Sequence, residues 1–140
     1  MVSFDFDDTL SKLHIQEYAK QLVDRGESVF VITTRYDYLH CHLYDNDVRS
    51  MVENDLYLNL DLWLIVDKIG IPRENVFFTN MKNKADFIKD TKLIWHLDNN
   101  VYELYEMKKL KCKTFGVSTH SSNWKHKCER ILKNSKNGKS

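Results

Sequence analysis

The sequence predicts one α/β domain: a three-layer α/β/α sandwich around a central, parallel, five-stranded, Rossmann-like sheet. Three observations predict it. Short β-branched and apolar runs alternate with stretches of helical spacing along the chain, the pattern of successive β-α-β units. The length, 140 residues, fits one domain, since domains commonly run to about 100–150 residues. Four glycines and one proline are too few for an all-β fold with its many tight turns.

The elements follow in order. Val2–Asp7 reads as a buried strand that ends in acids. Ser11–Arg25 has helical spacing, with Leu13, Tyr18, Leu22 and Val23 on one face and Ile15 and Ala19 beside it. Gly26 stands where a helix ends in a left-handed residue. Ser28–Thr33 is a continuous apolar run suited to a central parallel strand. Tyr36–Asn54 is the least periodic stretch and reads as loop with a short helix. Leu56–Ile69 reads as a helix with Leu60, Trp63, Leu64 and Asp67 at helical intervals, ended by Gly70 and Pro72. Asn75–Thr79 is a third strand, Asn83–Lys89 a helix start, and Leu93–Leu97 a fourth strand. Asn100–Lys109 is a helix, Lys113–Val117 a fifth strand, and Ser121–Leu132 a last helix. The domain is expected over residues 1–134, and the polar, basic tail 135–140 is expected to fray.

Composition sets the limits. A chain with 42% hydrophobic and 29% charged residues is not a disordered one. No run of about 18 apolar residues is present, so no membrane partner is expected. No basic segment followed by an apolar stretch opens the sequence, and three cysteines (Cys41, Cys112, Cys128) cannot all pair. Both point to reduced thiols and a cytoplasmic location. His40-Cys41-His42 has no second ligand cluster at zinc-finger spacing and reads as ordinary loop. The net charge of +1 conceals a split: residues 1–107 carry 11 basic and 19 acidic side chains, residues 108–140 carry 10 and 1. An acidic body thus adjoins a basic end.

In a parallel sheet, ligands bind outside the carboxyl ends of the strands. There the sequence places Asp5-Phe6-Asp7-Asp8-Thr9, Thr33-Thr34-Arg35 and Asp98-Asn99-Asn100, with Lys82 and Lys84 after the third strand. Strand alternation puts Asp5 and Asp7 on one side. Like charges this close repel, and a cation would relieve the cost; hard oxygen ligands suit Mg²⁺.

This constellation resembles the haloacid dehalogenase-like phosphatase superfamily, over most of the chain. Asp5–Leu10 is similar to the family's DxDxT motif. Val29–Thr33 is similar to the second motif, an apolar strand ending in Ser or Thr. Lys84, in Asn83–Phe87, is similar to the third, and Ile94–Asp98 to the fourth. Lys84 fits its flanking pattern better than Lys82, and Thr33 fits the strand phase better than Thr34. The resemblance implies an Mg²⁺-dependent phosphomonoester hydrolase. Asp5 would be the nucleophile that forms an aspartyl-phosphate, and Asp7 the general acid and base. Thr33 would hold a phosphoryl oxygen and Lys84 would neutralise charge. Asp5, the Asp7 carbonyl and Asp98 would bind the metal. Thr34 and Arg35 would contact substrate. Asn99 departs from the family pattern, where a second acid often stands, and implies weaker metal binding.

Only about 25 residues separate Asp7 from Thr33, enough for one helix and one strand. No sizeable cap domain fits there or between Arg35 and Asn75. An open site implies a bulky phosphorylated substrate, such as a protein or a nucleic-acid end bearing a 3′-phosphate, or a small one held by a partner. The basic C-terminal segment would suit nucleic acid, and equally suits a solvated helix face. A non-catalytic phosphate-recognition module is the rival reading. Trp63, Trp95 and His96 read as packed residues, and Tyr36, Tyr38, His40 and His42 as a loop that covers the core.

Overall fold

The structure, a computed structural model, describes residues 1–37 and 59–138. Its five strands are β1 (Val2–Phe4), β2 (Val29–Thr33), β3 (Val76–Phe78), β4 (Trp95–Asp98) and β5 (Phe115–Ser118). They form one parallel sheet in the order β3-β2-β1-β4-β5. The α/β class and the parallel five-stranded sheet are as the alternation predicts. The helices are α1 (Leu13–Asp24), α2 (Leu60–Ile69), α3 (Lys84–Ile88), α4 (Val101–Lys109) and α5 (Trp124–Lys136).

Two apolar clusters make the layers. On one face α1, α2 and α5 press Ile15, Tyr18, Leu22, Leu62, Val66 and Leu132 onto Val2, Phe4, Val31 and Trp95. On the other, α3 and α4 bring Ala85, Ile88 and Met107 onto Ile32. Val31 and Ile32 serve opposite faces, as strand alternation requires. Burying both faces explains why β2 reads as an unbroken apolar run. Trp95 is core, with Phe4 edge-on at 5.3 Å and Tyr18 stacked at 6.3 Å.

Several boundaries and phases differ from expectation. β1 stops at Phe4, because the chain turns after Asp5: Leu10 N–H donates to Asp5 O at 3.1 Å and Asp8 takes φ 60°. Leu13 is exposed; α1 buries Ile15, Tyr18, Ala19 and Leu22 instead. On α2, Leu60 and Leu64 are exposed, and Leu62, Val66 and Ile69 are buried. Apolar residues cover most of α2, so contacts from other elements, not spacing, choose its inner face. Gly70 ends α2 at φ 94°, a conformation only glycine adopts without strain. α5 continues to Lys136, past Asn134, and Lys136 pairs with Glu27. The expected frayed tail is therefore partly helix. The expected loop residues Tyr38, His40, Cys41 and His42, and the start of the helix predicted from Leu56, lie outside the described residues.

None of the described helices is long and apolar enough to cross a membrane. Cys112 and Cys128 are free thiols.

With β1 central, the carboxyl ends of β1, β2 and β4 lie side by side. The residues that follow them are therefore neighbours in space.

Candidate functional site

Asp5 is the first residue beyond β1. Its N–H donates to Leu97 O at 2.8 Å, which fixes the carboxylate at the β1–β4 junction. Lys84 opens α3, and its side chain reaches across the sheet ends. Its Nζ donates to Asp5 Oδ1 at 2.6 Å and to Asp98 Oδ2 at 2.7 Å. Lys84 is only 2% exposed, and Asp5 and Asp98 are buried too. An ammonium this deep needs its charge matched, and two carboxylates surround it. Lys82 is exposed and makes no such contact, so the structure brings Lys84 rather than Lys82 to this cluster.

Asp98 is tied on both oxygens. Its Oδ2 accepts from Lys84 and from His96 Nε2 at 2.9 Å; its Oδ1 accepts from Asn100 N–H at 2.9 Å. His96 Nδ1 lies 2.8 Å from Ser3 Oγ. One neutral tautomer satisfies both contacts: Nε2–H donates to Asp98 and Nδ1 accepts from the Ser3 hydroxyl. Burial pushes the His96 imidazole down from its ordinary 6.5, which keeps it neutral, although Asp98 pulls the other way. Burial opposes the ionised Asp98, but His96 and Lys84 hold its carboxyl below the usual carboxylate range. Burial pushes the Asp5 carboxyl up to about 7, with Lys84 opposing and Asp98 adding to the rise. Burial works against the Lys84 ammonium too, yet Asp5 and Asp98 raise it above its ordinary value.

Asn99 meets Asp5 from the β4 side. The end of its amide lies 2.7 Å from Asp5 Oδ2, 3.1 Å from the Asp7 carbonyl oxygen and 3.2 Å from Thr9 Oγ1. Thr9 in turn donates to Asp5 Oδ2 at 2.9 Å. With Nδ2 turned inward, Asn99 donates to all three oxygens. With Oδ1 turned inward, Asp5 Oδ2, Asp7 O and Asn99 Oδ1 form an oxygen cluster. Adjacent ligands of an octahedral Mg²⁺, at about 2.0–2.1 Å from the ion, lie about 3 Å apart. The two separations measured from Asn99 fit that spacing. Among the described residues no group of three His, Cys, Asp or Glu side chains is arranged for a metal. In that second orientation the oxygen set would be one carboxylate, one main-chain carbonyl and one amide. Asp98, expected as a metal ligand, instead points both oxygens at hydrogen-bond donors. Asn99, expected to weaken metal binding, sets its amide against Asp5 and the Asp7 carbonyl.

Asp7 is the more exposed acid, and Arg35 grips it. Arg35 Nε and Nη2 donate to the two Asp7 oxygens at 3.0 and 2.8 Å. The same guanidinium donates to both oxygens of Asp61, at the start of α2, at 2.8 and 3.0 Å. It also lies over the Phe6 ring, 4.9 Å from its centre. The expected substrate contact is thus a side chain engaged with two carboxylates. Thr33 is fully buried and its Oγ1 accepts from Arg35 N–H at 3.2 Å. Thr34, not Thr33, lines the cavity of about 240 Å³ that holds Asp5, Asp7, Lys84, Asp98 and Asn99.

Of the sequence-derived site residues, Asp5, Asp7, Thr34, Lys84 and Asp98 therefore share one cavity with Asn99; Thr33 and Arg35 do not line it, and Asp61, His96 and Glu103 hold its members in place. Glu103 is buried and accepts the Lys84 N–H at 2.9 Å, which sets the start of α3. Nothing local in the sequence marks Asp61 or Glu103; each is one of two acids on its helix. No family model, curated protein or solved structure matches the chain.

Proposed function

We propose that the protein is an Mg²⁺-dependent phosphatase that hydrolyses phosphomonoesters through an aspartyl-phosphate on Asp5, as its resemblance to haloacid dehalogenase-like phosphatases implies. The observation that carries this reading is the buried Lys84 between Asp5 and Asp98, beside the Asp5 and Asp7 oxygens that the Asn99 amide meets. An anionic nucleophile approaches an anionic substrate only where cations offset the repulsion.

Asp5, the Asp7 carbonyl and Asn99 would hold the ion. When bound it supplies Lewis-acid stabilisation of charge on the phosphoryl oxygens. The chain's own groups do the rest. An Asp5 carboxylate oxygen forms a bond to phosphorus as the bond to the leaving oxygen breaks. In the reacting form Asp7, held by Arg35 through one oxygen and protonated on the other, gives that proton to the leaving oxygen. Water then attacks the phosphorus, Asp7 takes its proton, and inorganic phosphate leaves with Asp5 restored. Lys84 balances the negative charge at Asp5, and Asp98 and His96 keep the ammonium in place. Thr34 faces the cavity where the phosphoryl group would sit.

Phosphate release from an aryl phosphate with Mg²⁺ tests the reading. Turnover is expected from the native chain and only background from Asp5→Asn. Equal release from both overturns the proposal.

A further inference from the structure

Two grooves flank the outer strand of the sheet, away from the carboxylate cluster. One, of about 660 Å³, lies at the end of β4 opposite Asp98 and is lined by Lys92, Ile94, Lys113, Phe115, Arg130 and Ile131 among others. The second, of about 450 Å³, runs between β5 and α4 and includes Leu104, Tyr105, Lys108 and again Phe115. Phe115 joins the two. Its ring is 51% exposed on the free edge of β5, and Tyr105 is 62% exposed. Isolated exposed apolar residues are ordinary, but here they lie between cations. Neither groove is lined by Asp or Glu. Among the described residues, Lys92, Lys108, Lys113 and Arg130 form no ion pair. Glu129, the one acid in the basic C-terminal segment, is taken by Arg25 at 2.6 Å.

We propose that this edge binds single-stranded nucleic acid, with phosphates along Lys92, Lys108, Lys113 and Arg130 and bases stacked on Phe115 and Tyr105. Unpaired cations beside exposed aromatic rings match a chain that alternates charge with flat π-faces. An acidic peptide meets the charge but leaves the rings without stacking partners. A second copy docked edge to edge brings like charges together, the way edge lysines ordinarily prevent sheet pairing. The inference is independent of hydrolysis, since it concerns binding of strands with or without a terminal phosphate.

The test is fluorescence anisotropy of the full chain with a labelled oligothymidylate that carries hydroxyl ends, so no phosphomonoester is present. Binding is expected at low salt, weakening as salt rises. Lys113→Gln and Arg130→Gln should each lower the salt slope by about 0.7. Phe115→Ala should weaken binding roughly tenfold with the slope unchanged. All three positions are exposed, and thermal melting verifies that the variants fold. The proposal is overturned by absence of binding at low salt, by binding indifferent to these variants, or by polyglutamate that competes as well as the oligonucleotide. It is also overturned if sedimentation shows a dimer that Phe115→Ala dissolves.

Discussion

Arg35 holds Asp7 by both carboxylate oxygens, at 3.0 and 2.8 Å, and is itself held by both oxygens of Asp61. Asp7 therefore has one preferred orientation, set by a residue on α2. In the proposed reaction the first of the two proton transfers by Asp7 matters only where the leaving oxygen needs a proton. Arg35→Lys removes the bidentate geometry. It should cost roughly 10–100-fold on an alkyl phosphate, within the range that general acids supply. On a nitrophenyl phosphate, whose leaving group departs unaided, the loss should be small. Asp61→Asn should show the same split in weaker form. Parallel losses on both substrates would assign Arg35 a purely structural role.

Lys84 stands between two buried carboxylates, and removing it leaves both uncompensated. Lys84→Met should lower stability by roughly 3–5 kcal/mol, the cost of breaking a buried ion pair on one side. Adding Asp98→Asn should return part of that loss, because one stranded charge disappears. Urea denaturation of the two single variants and the double variant measures the coupling; strict additivity would contradict it.

His96 predicts a pH dependence of stability. Burial holds its pKa below the ordinary 6.5. As pH falls below that value the unfolded chain takes up a proton that the native imidazole does not. The His96 contribution to stability should thus be full above 6.5 and fall with pH down to the native pKa, at up to about 1.4 kcal/mol per pH unit, while Asp5, raised to about 7, contributes with the opposite sign. Between about pH 7.5 and 5.5 the denaturation midpoint of His96→Gln should move further toward higher stability on acidification than that of the native protein. Identical shifts would exclude His96 as the source.

Asn99 should govern affinity for the ion rather than stability of the fold. Asn99→Ala is expected to weaken Mg²⁺ binding at least tenfold by titration calorimetry. Asn99→Asp should tighten it, since a charged oxygen replaces a neutral one. Unchanged affinity in both would remove Asn99 from the oxygen set. Since a bound ion stabilises the native state, the change in melting temperature on adding Mg²⁺ offers an independent reading.

Much of this was legible in the sequence because the informative residues adjoin the strands that place them. Asp5 and Asp98 follow apolar runs directly, so their meeting follows from a parallel sheet with β1 beside β4. Lys84 was legible from its flanking residues. Asp61 was not, since its partner Arg35 is 26 positions away and no local pattern links them. The inner face of α2 was misread for a related reason: a helix apolar on most sides takes its orientation from its neighbours. Asn99 was legible as a departure, but its contacts with Asp5 and the Asp7 carbonyl were not, since they join strand ends more than 90 positions apart.

The strand order has a consequence for assembly. β1 pairs with β2 nearby in the chain, but also with β4, where Ser3 meets His96 across 93 positions. One half of the sheet can close early; the other must wait for a distant segment, and such closures are slow. The carboxylate Asp5 belongs to the early half, while Lys84, Asp98 and Asn99 arrive with the late one. The site is a seam between the halves. A chain that has built only the first carries the Asp5 carboxylate without its cation, so the Lys84 ion pairs close only when the sheet is whole.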